Sequence, residues 1–281
     1  MSINAEVERR SYDHVDDEQP REKAALGISF SGQNIFFAEV RLEASFMVRK
    51  FGTIATNMKF GTGIEGVEKN IRDLYSYVNG CIEDNAIKAK KLNLSMNSQL
   101  IALHRILIEP GETDAEFENQ VKWEIGQQIL DDVDQFIVNT HELHSSGSPL
   151  TPVLVVGVRR RFIDTLNAVL EKSKINLACV DMDILCAHAA YEMNYHRGEG
   201  LTALVEAKPG VAVILLCNGY DIEHVYQMTS SAKSVPARLG ALINQHLDNA
   251  ANVYKEGASI DRVILCNAMA AAVLPHIEQR F

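Results

Sequence analysis

The chain alternates between two hydrophobic periods, and the switches between them mark its elements. After residue 25, "LGISFS", "NIFFAEVRL" and "SFMVRKFGTIA" are short β-rich runs separated by turn residues. Ile64, Val67, Ile71, Leu74, Val78 and Ile82 then recur every three or four positions, which predicts a helix with one apolar stripe. "KKLNLSMNS" returns to a strand pattern, completing the order β-β-β-α-β. The second half repeats it. "LTALVEA", "VAVILLC" and "IEHVYQMT" are punctuated by Gly210 and Asn218-Gly219. Leu239, Leu242, Ile243, Leu247, Ala250 and Val253 predict the following helix, with Gly257 at its C-cap. "IDRVILCNA" is the fourth strand, and "AAAVLPHIEQRF" opens a further helix.

A different block lies between the halves. "LIALHRILIEP" reads as a strand, and Thr113 and Glu116 form a capping box for a helix that puts Phe117, Val121, Ile125 and Ile129 on one face. "DQFIVNTHEL" and "PVLVVGVRR" read as strands around the polar loop "HSSGSPL". The helix "RFIDTLNAVLEKS" and the strand "INLACVDMD" follow. The helix "ILCAHAAYEMNYH" and the polar linker "RGEG" then lead into the second half. The expected organisation is a first lobe of residues 26–100 plus 175–198 and an inserted α+β module at 101–174. A second lobe of residues 199–281 and a disordered acidic leader at 1–25 complete it.

Composition narrows the function classes. With 47 % hydrophobic and 23 % charged residues, the 281-residue chain has the make-up of a globular protein of two lobes. Its formal net charge of −10 argues against nucleic-acid binding through a broad basic surface. The leader has no apolar core of a secretory signal, and no run reaches the roughly 18 apolar residues of a membrane span. A cytoplasmic protein is expected. The five cysteines form no C-x-x-C pair and read as reduced thiols, mostly in apolar elements. His141 and His144 flank a loop without a third ligand nearby, so no metal site is expected. His188 reads as a packed or surface residue and not as a base, and Trp123 as an anchor between the inserted module and the first lobe.

Four stretches carry a family resemblance. They are "LGISFSGQNIFFAEVR", "HRILIEPGETDAEFENQVKWEIGQQI", "VLVVGVRRRFIDTLNAVLEKSKINLACVDMDILCAHAA", and the pair "ALVEAKPGVAVILLCNGYDIEHVYQM" and "DRVILCNAMAAAVLPHIEQRF". Their order and spacing resemble the PilM-like type IV pilus assembly proteins, whose fold is shared with the division protein FtsA. The resemblance implies an α/β, actin-like (ribonuclease H-like) two-lobe fold. Each lobe is β-β-β-α-β, and the first carries the inserted module. Relatives continue past the equivalent of Phe281 with a further strand and helix, so the second lobe is expected to be incomplete here.

The resemblance also locates a nucleotide site, and there the sequence departs from the family. The first phosphate hairpin, Gly-Ile-Asp-Ile-Gly-Thr-Ser-Ser in relatives, is Gly27-Ile28-Ser29-Phe30-Ser31-Gly32-Gln33-Asn34. Ser29 stands at the carboxylate position and Ser31 at the first turn glycine, while Gly32 keeps a permissive turn beside Gln33. The second hairpin, Asp-Ile-Gly-Ala, becomes Glu206-Ala207-Lys208-Pro209, which retains a carboxylate but puts a lysine at the glycine position and removes an amide donor. Lys208 is expected to face solvent. The adenosine strand's Ser-Gly-Gly-Gly becomes Cys266-Asn267-Ala268-Met269, without glycine. Asp181 and Asp183 stand where relatives carry acids near the cleft. With three sites altered together, the expectation is a scaffold without catalysis or ATPase activity and with no cofactor or metal.

By resemblance the scaffold would sit at the inner face of the cytoplasmic membrane, in a pilus or type II-like secretion platform. There it would grip the tail of a PilN-like inner-membrane partner and meet other platform proteins, touching the membrane through that partner. Two alternatives remain open. One is a functioning ATP-binding or ATPase member that uses Mg-ATP. The other is the cytoplasmic domain of a type II secretion L-type protein.

Overall fold

The computed structural model describes residues 24–42, 45–60, 64–96, 100–110, 113–128, 132–143, 149–171, 173, 175–196, 200–208, 211–229, 236–254, 259–267 and 269–277. Expectations about the leader, His144, Ile129, Gly210, Gly257 and Ala268 lie outside these residues, as do those about the side chains of Ser31, Gly32, Gln33, Ile64, Val67, Ile71 and Val253. The chain divides into two compact units, Met1–Met182 and Asp183–Phe281.

In the first unit, β1 (Ala24–Leu42) is a 19-residue run that doubles back on itself. A β-carbon placed at Gly27 would lie 3.8 Å from the Ala38 carbonyl oxygen, a pair on the order of 35 Å apart in an extended chain. The two predicted strands are therefore the arms of one hairpin. Its first arm runs parallel to β3 (Lys91–Met96), Ile28 opposite Leu94. The second arm runs antiparallel to β2 (Phe46–Phe60), Leu42 opposite Phe46. With β7 (Asn176–Met182) beside β3, the sheet order is β2-β1-β3-β7. One face carries the core, because Leu26, Ile28 and Phe30 alternate inward with Leu92 and Leu94. Buried residues of α1 (Ile64–Asp84) and α3 (Arg160–Leu170), among them Leu74, Val78, Phe162 and Leu166, belong to the same core, and the two helices pack together.

A second, three-stranded antiparallel sheet has the order β4-β6-β5, from β4 (Ile101–Ile108), β5 (Phe136–Glu142) and β6 (Thr151–Arg159). The helix α2 (Asp114–Gln128) covers it, burying Phe117, Val121 and Ile125 against Ile106, Ile108, Val153 and Val155. The capping box forms as the sequence predicts. The Thr113 amide donates to Glu116 Oε2 at 3.0 Å, and the Glu116 amide donates to Thr113 Oγ1 at 3.3 Å. Trp123 does not anchor this helix. It is 65 % exposed, two positions from both Val121 and Ile125 and so on the far side of the helix from the stripe that faces the sheet.

The second unit repeats the first sheet's order. β8 (Leu201–Lys208) pairs antiparallel with β9 (Val211–Asn218) and parallel with β11 (Ile260–Cys266), and β10 (Asp221–Thr229) completes the order β10-β9-β8-β11. All of β8, and β9 up to its last residue, is buried, as continuous apolar runs require when both faces are covered. Leu201, Ala203, Val205, Ala212, Ile214 and Leu216 meet the apolar stripes of α5 (Pro236–Tyr254) and α6 (Ala270–Ile277). The helix α4 (Asp183–Asn194) packs on β8, where the Tyr191 hydroxyl donates to the Gly219 carbonyl at 3.1 Å. The boundary between the units thus falls before α4, whereas the linker's position had placed this helix with the first lobe.

Replacing Thr113 with Ala removes one half of the capping box at an exposed position. We expect a loss of about 0.5–2 kcal/mol in the unfolding of the first unit. Urea titration followed by circular dichroism checks this, and Thr113→Ser should retain most of the stability.

Candidate functional site

Three of the seven nucleotide-site positions converge in the second unit, together with one acid that sequence reasoning had set beside the site. Glu206 and Lys208 occupy alternate positions at the end of β8 and so point to one side of the sheet. Asp183 lies in the first turn of α4, where the positive end of the helix dipole favours a carboxylate. Asn267 follows β11, beside the end of β8, because Cys266 pairs with Glu206 in the parallel register.

Lys208 does not face solvent. It is 7 % exposed, and its ammonium bridges Asp183 Oδ2 and Glu206 Oε1, the latter at 2.6 Å. The correction has a simple cause. The β8–β9 hairpin is buried on both faces, so a side chain at its end has no water to reach and must find its counter-charges inside. Asn267 Nδ2 also donates to Glu206 Oε1, at 2.9 Å. This residue has a φ of 77°, a left-handed backbone that asparagine tolerates better than most residues. The turn is held by the Met269 amide, which donates to the Ala207 carbonyl at 2.9 Å.

The charges do not balance if every group is ionised, since two carboxylates face one ammonium. Burial pushes the Glu206 carboxyl above its ordinary value of 4.5. Asp183 adds to the push, and Lys208 opposes it without cancelling it. Glu206 Oε2 is buried with no hydrogen-bond partner among the described residues. A protonated Glu206 beside an Asp183–Lys208 pair leaves the cluster neutral, which a desolvated site favours.

A magnesium–nucleotide complex would need these carboxylates for the metal or its waters. In this arrangement both already bind an ammonium that belongs to the chain, and the residues present do not fit such a complex. Ser29 lies on the first arm of β1 opposite Ser95 of β3. His188 is half-buried, with Nε2 donating to the Tyr220 carbonyl at 2.8 Å, so its ring clamps the β9–β10 turn onto α4. Burial raises the thiols of Cys81 to about 11 and of Cys217 and Cys266 to about 12, which keeps all three protonated at neutral pH. Cys179 and Cys186 are exposed, and none of the five cysteines is in a disulfide. Among the described residues no three His, Cys, Asp or Glu side chains group as a metal site requires, and no helix is long and apolar enough to cross a membrane.

No protein-family profile matches the sequence, and no curated protein matches it. Solved structures do. The chain superposes on the PilM–PilN type IV pilus biogenesis complex with a TM-score of 0.67 at 11 % identity, covering 92 % of this chain and 87 % of that one. A Bacteroides thetaiotaomicron protein with an actin-like ATPase fold and unknown function gives a TM-score of 0.56 at 9 % identity, over 92 % and 88 % of the two chains. The cytoplasmic domain of EpsL, an inner membrane component of the Vibrio cholerae type II secretion system, gives 0.51 at 15 % identity, over 92 % and 96 %. The fold is therefore actin-like, as the resemblance carried by the four stretches implies, and its likeness extends to a pilus and a secretion component.

Two outcomes test the charge cluster. Lys208→Met leaves the buried Asp183 carboxylate without its cation and should cost about 3–5 kcal/mol in urea unfolding, with part regained when Asp183→Asn is added. The second concerns pH. Because the folded Glu206 binds its proton more tightly than the unfolded chain does, its contribution to stability is full below the ordinary carboxylate pKa. That contribution is lost as pH rises through the folded value. Glu206→Gln, which cannot ionise, should therefore gain stability relative to the wild type as pH is raised from about 4 to 7. Melting curves across that range should show the gap moving in this direction, and a gap that does not change with pH contradicts a protonated Glu206.

Proposed function

We propose that the protein is an actin-like scaffold of a type IV pilus or type II-like secretion platform. In this reading it works in the cytoplasm at the inner membrane, where it holds the tail of a single-span, PilN-like partner and hydrolyses no ATP. The observation that carries the reading is the superposition on the PilM–PilN complex over nearly the whole chain. The likeness to the EpsL cytoplasmic domain supports the same setting, since that protein too belongs to inner-membrane secretion machinery. Support for the absence of ATPase activity comes from Lys208, which engages the two carboxylates that a metal would use.

Trp123 supplies the partner reading with a candidate contact. A tryptophan left 65 % exposed on a well-packed helix is the kind of side chain that interfaces use as an anchor. It is also the single tryptophan of the chain, so its fluorescence reports on α2 alone.

Titration with a synthetic peptide of the cytoplasmic tail of a PilN-like protein from the same genome should blue-shift that fluorescence. Trp123→Ala should weaken binding roughly tenfold or more, a loss typical of an interface anchor. In parallel, Mg-ATP in large excess should leave the melting temperature unchanged. A bound nucleotide at a hundred times its Kd would instead stabilise the fold by about 2.7 kcal/mol. A melting shift that Glu206→Ala abolishes would replace this reading with that of a nucleotide-binding member.

A further inference from the structure

The two sheets that share one strand order differ in how they are covered. In the second unit β8 and β9 are buried on both faces. In the first unit the hairpin of β1 and β2 is buried on one face, through Ile35, Phe37 and Glu39, and open on the other. The register fixes which residues share the open face. Leu42 lies opposite Phe46, Val40 opposite Val48, Ala38 opposite Phe51, and Phe36 opposite Thr53. Alternate residues point the same way, so Phe36, Leu42, Phe46, Val48 and Phe51 form one apolar strip. Their exposures run from 38 % at Leu42 to 82 % at Phe51. At the end nearest Leu42 the opposite face is open as well, since Met47 there is 42 % exposed. The hairpin end is thus apolar on both sides. Isolated exposed apolar residues are ordinary, but a contiguous strip of this kind marks an interaction surface.

The charge around this end has the opposite sign to that of the protein. Residues 41–50 carry Arg41, Arg49 and Lys50 against one acid, Glu43, in a chain of net charge −10. The α1–β3 connection brings Lys88, Lys90 and Lys91, all exposed, to the same end, where they outnumber Glu83 and Asp84. Two fixed contacts hold that connection against the hairpin. Buried Glu39 accepts from the amides of Lys88 and Ala89, at 2.7 and 2.9 Å. The Lys50 ammonium donates to the carbonyls of Asn85 and Ala86, the latter at 2.6 Å. The lysines therefore stand as a collar at a set position behind the apolar tip.

We propose that this end of the first unit docks directly on an anionic lipid bilayer. Phe46, Met47, Val48 and Phe51 would enter the interface while Arg41, Arg49 and the Lys88–Lys91 collar meet the headgroup phosphates. An apolar tip with a cationic collar is the arrangement that interfacial membrane binding requires. Arginine and lysine stems can lie along the apolar strip while their charges reach the phosphates. A second copy of the chain fits less well. Edge pairing of β2 with its own copy would bring together two chains of net charge −10 and would leave the apolar strip uncovered. The proposal does not depend on the pilus and secretion reading.

The experiment is co-sedimentation of the full chain with extruded vesicles of phosphatidylcholine alone and of equal parts phosphatidylcholine and phosphatidylglycerol, at low and high salt. The protein should pellet with the mixed vesicles at low salt, much less at high salt, and not with phosphatidylcholine alone. Phe46→Ser with Phe51→Ser, both exposed and so compatible with an unchanged melting curve, should reduce binding roughly tenfold or more. Lys90→Glu with Lys91→Glu should do the same while leaving the apolar strip intact. No binding to the mixed vesicles, or binding indifferent to both pairs of substitutions, overturns the proposal. Sedimentation equilibrium without vesicles provides the remaining arm. Self-association that the phenylalanine substitutions abolish, without lipid binding, would assign the strip to a second copy and overturn the proposal as well.

Discussion

The buried ammonium of Lys208 ties together the parts of the second unit that an actin-like protein would use for nucleotide. It joins the end of β8 to the first turn of α4, and through Glu206 it reaches the turn after β11. A charge removed from water must be matched where it lies, so each of these three segments has its place dictated by the others. The two carboxylates share an internal cation, and burial favours a proton on Glu206 over a second negative charge. The β8–β9 hairpin is part of the core.

Duplication of one strand order, followed by different covering, accounts for the rest. In the second unit β8 and β9 are buried on both faces, and all of β9 but Asn218 is apolar. In the first unit one face is closed, and the strands alternate as one-sided strands do, except at the β1–β2 end, where apolar residues remain on the open side. An exposed strip of phenylalanines beside fixed lysines is costly for a free protein, and a surface to bind explains it better than a packing accident does.

Much of the fold was legible because it rests on local periodicity. The Leu74–Val78 part of the α1 stripe, the α2 and α5 stripes, the Thr113–Glu116 capping box and the apolar run of β9 each follow from residue spacing alone. The hairpin in Ala24–Leu42 was legible from its polar midpoint, although the structure joins its arms into one element. What failed had a common cause. Lys208 was assigned to solvent and Trp123 to a buried contact because lysines are usually wet and tryptophans usually packed. Both were decided by whether the face they stand on is covered, which depends on elements distant in the chain. Asp183 was noticed as a surviving acid, but its pairing with Lys208 needs the packing of α4 on β8, and no local pattern encodes that. The apolar strip was hidden for the same reason. "NIFFAEVRL" and "SFMVRKFGTIA" are ordinary strand sequences until their register shows Phe36, Leu42, Phe46, Val48 and Phe51 on one uncovered face.

The central claim is that the chain's own lysine holds the place of a metal and its nucleotide. A crystal structure grown in excess magnesium and a non-hydrolysable ATP analogue tests it most directly. The account predicts the Lys208 ammonium within hydrogen-bonding distance of both Asp183 and Glu206, with no metal against either carboxylate. A magnesium ion or phosphate group on those carboxylates, with Lys208 swung away from them, would contradict it.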